Sequence, residues 1–366
     1  MKQAGFPQRI RHHPFLIRLR SWEYWPMHVV YMPVYVYWLY LSIRARAFIF
    51  FSAANPGIEL GGFFDDAKWD LYQKIPERWI PKTCFIPESA SHSETLAKIK
   101  KNGIHFPLII KPNRGERGFL VEKIPDARTL ESFMARHELE WIIQDYIAEP
   151  EEISVLYYRY PGQTSGGISS VTLKEFLHVT GNGHSTLEEL ILSYPRAKLQ
   201  VDSLKGRFED TWQQVIPQGQ RIELMPIGNH SRGTTFLNGN AHIDADLLAI
   251  FDQISHELDG IYFGRFDMKC RSMEALKAGK DFYILEINGV KSEPTHIYQP
   301  GFSIWEAYRV LFRQWRTIFE ISMANHARGV PFPGLWDTVK RLRQYLRYKK
   351  DWEDVPEAQP QFTSPR

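Results

Sequence analysis

An α+β fold is what this sequence predicts, and three features carry the prediction. Two short, mostly apolar segments, Gly264–Lys269 and Phe282–Asn288, carry acidic or amide side chains and read as β-strands. An apolar run, Phe106–Ile110, ends at Lys111-Pro112 and enters a glycine-bearing loop that closes at Gly118. Beyond Gly301 the spacing turns helical, over Phe302–Met323 and again over Leu335–Trp352.

From the N-terminus, residues 1–80 form an aromatic-rich segment, with Trp22, Tyr24, Trp25, Tyr31, Tyr35, Tyr37, Trp38, Tyr40, Phe48, Phe50 and Phe51 crowded into 22–54. The uncharged stretch Met27–Ile43 is 17 residues long and contains His28 and Pro33, so it is short for a membrane span. Arg44 and Arg46 follow it and speak against a cleaved signal peptide. Three placements stay open: packing against the body or a second subunit, an interfacial position on a membrane, and a span. Asn55-Pro56-Gly57 and Gly61-Gly62 punctuate the chain, and a short helical stretch is expected from Asp65 to Ile75. The C-terminal helices are expected over 301–352, the second of them basic, and a Pro-, Gln- and Ser-rich disordered tail over 353–366.

Length allows one large domain or two to three lobes with a sizeable core. The formal charge of +3 is too small to predict a nucleic-acid partner. Cys84 and Cys270 stand far apart, giving no disulfide framework and no zinc spacing, which favours a reducing, cytoplasmic setting.

The polar residues on the strands suggest chemistry. Side chains two apart on a strand share a face, so Glu286 and Asn288 point together; Asp267 joins them from a neighbouring strand, giving oxygen ligands that suit Mg²⁺. The plainer alternative is a pair of half-buried strands with ordinary polar edges. Lys111, at a strand end beside glycines, can reach phosphate as a point charge, or it can be a snorkelling surface lysine. Arg114 and Arg117, in the same loop, are either γ-phosphate contacts or solvated arginines. Arg265 shares a face with Asp267, for catalysis or as a structural ion pair.

The order of these parts resembles the ATP-grasp superfamily, which includes D-alanine–D-alanine ligase and cyanophycin synthetase. Five segments, within residues 80–300, carry the resemblance: Phe106–Gly118, Trp141–Val155, Val171–Ile191, Gly228–Thr235, and the strand pair around Asp267 and Glu286. It implies an ATP-grasp domain over 81–300, two α+β lobes clasping ATP. Lys111, Gly115, Gly118 and Lys174 match phosphate-binding positions, Gln144, Tyr146 and Ile147 the adenine hinge, and Glu152 the ribose acid. Asp267, Glu286 and Asn288 match the Mg²⁺ (or Mn²⁺) ligands, and Arg265 the group that stabilises an oxyanion. Asn229, Ser231 and Arg232 match a substrate-holding loop. The implied reaction joins a carboxylate to an amine through an acyl phosphate, on small-molecule or peptide substrates. Two alternatives are a kinase-like phosphoryl transferase on the same fold and a non-catalytic, nucleotide-binding, membrane-associated protein. The Rossmann-like lobe that precedes this domain in D-alanine–D-alanine ligases has no counterpart in the strand–helix pattern here. Peripheral membrane contact through the aromatic segment and the basic helix, and homodimerisation, are both left open beside packing on the body.

Overall fold

Two antiparallel sheets face each other across a cleft. The computed structural model describes Leu19 and residues 21–64, 67–115, 118–225, 228 and 233–353, with the side chains of 335 and 348–353 left aside. The tail 354–366 lies outside the described residues, as do Asn229, Ser231, Arg232 and Arg117.

The first sheet orders β1 (Thr83–Ile86), β4 (Trp141–Asp145), β2 (Leu108–Pro112) and β3 (Glu122–Ile124). Its apolar face, with Ile86, Leu108, Ile110, Trp141 and Ile143, packs on α2 (His92–Lys101) and α3 (Ala127–Met134). Both helices begin where a side chain takes up an orphan amide: Ser91 forms a reciprocal capping box with Glu94, and Asp126 accepts from the Thr129 amide. The strand expected to end at Lys111 runs through Pro112. Lys111 pairs in register with Ile142, so the lysine is held inside the sheet rather than at its fraying end.

The second sheet orders β11 (Phe282–Asn288), β10 (Phe263–Cys270), β5 (Glu151–Tyr158), β6 (Gly167–Glu175) and β9 (Thr235–Asn238). Strand alternation separates its two faces. Ile153, Val155, Phe266, Met268 and Cys270 enter a core closed by Leu247, Ile250, Phe251 and Ile254 of α4 (Ala245–Glu257). Glu152, Ser154, Arg265, Asp267 and Lys269 face the cleft. A one-residue shift in the β10–β11 register, between Asp267 and Met268, decides the fate of Glu286. Phe282 and Ile284 lie in the core, and unbroken alternation would bury Glu286 with them. The extra residue, Leu285, turns Glu286 and Asn288 to the cleft and Ile287 to the core. A separate two-stranded sheet pairs β7 (His178–Thr180) antiparallel with β8 (Arg221–Glu223).

The aromatic segment forms α1 (Met32–Ala45), one face of which packs against the long helix α5 (Ile304–Ala327). Leu41, Ala45, Phe50 and Phe51 join Ile318, Phe319 and Ile321 of α5, and Leu156 and Phe263 of the second sheet. Tyr37 meets Phe312 edge-on, with ring centroids 5.1 Å apart. Among the described residues no helix is long and apolar enough to cross a membrane. The second helix, α6 (Leu335–Glu353), is tied to the loop after α1 by an Arg341–Glu59 ion pair and by Tyr345 against Phe64. Cys84 and Cys270 are free and buried, their thiols pushed up to about 11 and about 12 by burial.

Asn55 anchors this packing. Fully buried, its amide donates to the carbonyls of Phe263 (2.8 Å) and Gly61 (3.1 Å), and its carbonyl accepts from Tyr262 and Phe263 amides at 2.9 Å each. Asn55→Ala strands these backbone groups away from water, and about 3 kcal/mol of stability is expected to be lost. A urea midpoint within error of the parent would remove Asn55 from this role.

Candidate active site

A cleft of about 1770 Å³ opens between the two sheets, and most of the residues singled out from the sequence line it. Lys111, Gly115, Gly118, Gln144, Tyr146 and Ile147 approach from the first sheet and its loops. Glu152, Lys174, Arg265, Asp267, Glu286 and Asn288 approach from the second. Gly228 and Gly233 also line it, on either side of the undescribed residues 229–232. A Cβ at Gly228 would meet Glu152 Oε1 at 2.2 Å, so a larger residue there would have to displace that carboxylate.

Asp267 is the electrostatic centre. The guanidinium of Arg265, two residues earlier on β10, donates from Nε and Nη2 at 3.0–3.4 Å. Asn288 Nδ2 donates at 3.0 Å, the Ser154 hydroxyl makes a short bond, and Lys174 Nζ lies 3.6 Å away. Burial alone would raise this carboxyl, but Arg265 and Lys174 hold it well below the carboxylate range. Lys174 also pairs with Glu152 at 2.9 Å. Its own burial favours the neutral amine, and the two carboxylates overcome this and raise it above its ordinary value.

Lys111 has the opposite fate. Its Nζ contacts Tyr72 Oη at 2.5 Å and the Leu285 carbonyl at 3.2 Å, so it crosses from the first sheet to the bulge of the second. Burial dominates, Glu286 offsets it only in part, and Lys68 adds to the lowering; the ammonium falls to about 7. It is a cationic side chain held short of counter-charge.

Gln144, Tyr146 and Ile147, the residues expected at a nucleotide hinge, differ in what they touch. Gln144 is buried and spends its side-chain amide on Thr83 Oγ1 at 2.8 Å, inside the first sheet. Tyr146 is covered by Lys123 Nζ, 3.6 Å from its ring centroid, and the Ile147 carbonyl accepts from Lys269 Nζ at 3.2 Å. Lys68 donates to the Gly115 carbonyl, fixing the entry of the glycine loop.

Asp267 and Glu286 stand directly opposite each other on β10 and β11, both toward the cleft, with Asn288 two register positions on, opposite Arg265. Among the described residues no three His, Cys, Asp or Glu side chains gather as a metal cage. Two carboxylates and an amide, all oxygen donors, are nonetheless the set Mg²⁺ accepts when phosphate oxygens and water complete its shell. The donor chemistry fits.

Several residues in and behind the cleft wall escaped the sequence reading. Tyr72 gave no signal beyond an apolar position in a short helix. Glu293 accepts from Tyr31 and, at 2.8 Å, from Tyr298, so the N-terminal segment reaches the cleft wall. Glu23 pairs with Arg196 at 2.7 Å, and Glu23, Tyr24, Trp25 and Met27 line the cleft themselves. The aromatic crowding marked this segment but not its destination.

No family model and no curated protein sequence matches the chain. Solved structures do. A bifunctional glutathione synthetase from Pasteurella multocida is 13% identical, the match covering 68% of this chain and 36% of that one, with a TM-score of 0.39. D-alanine–D-alanine ligase from Bacillus anthracis is 13% identical over 75% of this chain and 72% of its own, TM-score 0.40. The VanG D-Ala:D-Ser ligase from Enterococcus faecalis is 14% identical over 68% and 61%, TM-score 0.39. The chain thus spans little more than a third of the glutathione synthetase.

The lowered Lys111 makes a stability prediction. Its folded pKa, about 7, lies below the ordinary 10.5, so the unfolded chain binds the extra proton between those values. The resulting penalty is fully present below pH 7 and fades as pH rises toward 10.5; at about 1.4 kcal/mol per unit it is at most about 5 kcal/mol. Lys111→Met is expected to stabilise the protein at pH 6 and to do so much less at pH 10. Denaturation curves showing the same gain at both values would place the ammonium in water.

Proposed function

We propose that the chain is an ATP-grasp ligase, joining a carboxylate to an amine at the expense of ATP. The observation that carries this reading is the opposition across one cleft of a buried, counter-charge-poor lysine and an acidic cluster. Lys111 stands on the first sheet; Asp267, Glu286, Asn288 and Arg265 stand on the second. Residues 81–300 form the nucleotide-binding unit in this reading.

ATP would lie between the sheets. Lys111 would meet phosphate oxygens, and an anion there would restore the charge that burial now disfavours. The loop through Gly115 and Gly118 would bring backbone amides to the same phosphates. The backbone at Tyr146–Ile147 would face the adenine, with Glu152 toward the ribose once Lys174 turns to phosphate. Asp267, Glu286 and Asn288 would hold Mg²⁺, or Mn²⁺ on the same oxygens; when bound it neutralises phosphate charge. Arg265, fixed by its fork on Asp267, presents its remaining N–H groups to the cleft, where an oxyanion would form as the amine adds to the activated carboxyl. Asn229, Ser231 and Arg232 are proposed to hold the acid. Small-molecule or peptide carboxylates and amines are the substrate class.

Glu286→Gln is expected to lower ADP release by about 100-fold or more with an unchanged melting temperature. It removes charge from the proposed Mg²⁺ site while leaving Asp267 its four donors. Lys111→Ala is expected to weaken nucleotide binding by about 1.5–3 kcal/mol, the range of a charge-assisted hydrogen bond. Arg265→Ala is expected to act mainly on turnover. The decisive experiment screens carboxylate and amine pairs for ADP release, with mass spectrometry of the product. An amide bears out the reading. A stable phosphorylated product without amide would make the chain a phosphoryl transferase, and nucleotide binding without turnover under any pair would leave a binding protein.

A further inference from the structure

The outer face of α1 is apolar and open to solvent. Met32, Val36, Leu39 and Ile43 recur at spacings of four and three, which aligns them in one stripe along the helix, and Trp25 and Val29 precede it, Val29 in the short helix Met27–Val30. They are between 38% and 70% exposed, and Ile43 and Val36 lead at 70% and 69%. Tyr35, Tyr40 and Phe48, also exposed, broaden the stripe. A ladder of rings continues it onto α5: Tyr40–Tyr37–Phe312–Tyr308–Trp305, each centroid within 6.2 Å of the next, ending on Trp305 at 73% exposure. An apolar surface of this extent calls for an occupant.

Charge selects the occupant. From Met1 to Ile58 there are seven basic residues, Lys2, Arg9, Arg11, Arg18, Arg20, Arg44 and Arg46, and one acid, Glu23. That acid is turned inward onto Arg196, so the segment presents no carboxylate of its own. Arg44 and Arg46 are exposed where α1 ends, and Arg309 and Arg313 are exposed on α5, one and two turns beyond Trp305, with Glu306 the acid beside them. A second copy of the chain would bring these cations together. An anionic surface with an apolar interior matches both the stripe and its charges, and Trp and Tyr at the margins suit the layer between headgroup and acyl chain.

We propose that this face is a lipid-docking surface, with α1 lying in the headgroup region of an anionic bilayer and the basic leader adding electrostatic hold. Trp25 and Met27 belong both to the exposed face and to the cleft lining, so docking sets the rim of the cleft at the bilayer. α6, the other basic helix, is tied to Glu59 and Phe64 and is not needed for the contact. The proposal does not rest on the ligase reading.

The test is co-sedimentation of the full chain with vesicles of phosphatidylcholine, alone and with phosphatidylglycerol, at low and high salt. Binding to the anionic vesicles is expected at low salt, weakening at least tenfold at high salt as screening shortens the reach of the arginines. The variant Val36→Glu/Leu39→Glu/Ile43→Glu changes only exposed positions and is expected to lose at least tenfold in partitioning, at an unchanged melting temperature. Arg309→Ala/Arg313→Ala is expected to weaken binding only at low salt. A parent that stays in the supernatant, or a triple variant that binds as the parent does, overturns the proposal. So does a parent dimer, by light scattering, that the triple variant converts to monomer without any vesicle binding, because the face is then an interface between copies. Nucleotide binding by the same preparations reports on the ligase reading separately.

Discussion

A carboxylate withdrawn from water must be answered at close range by charge, and the second sheet is arranged around the answer given to Asp267. Arg265 lies two residues before it on one strand, Ser154 and Lys174 come from the next two strands, and Asn288 comes from the far neighbour. Four strands are therefore held in register by one side chain as well as by their ladders. Losing any single donor leaves the others facing an under-matched charge, whereas exchanging a donor for an incoming cation keeps the balance.

The two buried lysines show how environment divides one residue type into two functions. Lys174, against Glu152 and Asp267, is neutralised within the protein and carries its proton securely. Lys111 has a hydroxyl and a carbonyl for neighbours and carries a charge the fold disfavours. Stability is spent at the second position, and an anion reaching it would supply the counter-charge it lacks.

The strand pattern and the polar residues within it were readable because period-two alternation survives in short, isolated stretches. Arg265 with Asp267, and Glu286 with Asn288, share faces as their spacing requires. The reason Glu286 faces the cleft was not readable: Leu285 inserts a bulge that no local residue preference announces. Lys111 was visible by its loop, but its burial was not, since the residues that exclude water, Tyr72 and the Leu285 carbonyl, are distant in sequence. The aromatic segment was visible only as composition. Its contacts, Tyr31 with Glu293 and Trp22 with the Phe302 carbonyl, join positions more than 260 residues apart, and no local pattern encodes such pairs.

Those long closures set the order in which the molecule can be completed. The two sheets draw on residues between Thr83 and Asn288, but one wall of the cleft belongs to a segment whose apolar partners lie in α5. A chain emerging from the ribosome, N-terminal end first, exposes its most aromatic stretch before those partners exist. Until α5 arrives, both faces of α1 are open, the inner one as well as the outer. Any surface or chaperone that shelters apolar helices during synthesis meets this segment at its stickiest, and the cleft gains its last wall only when the two ends of the fold have met.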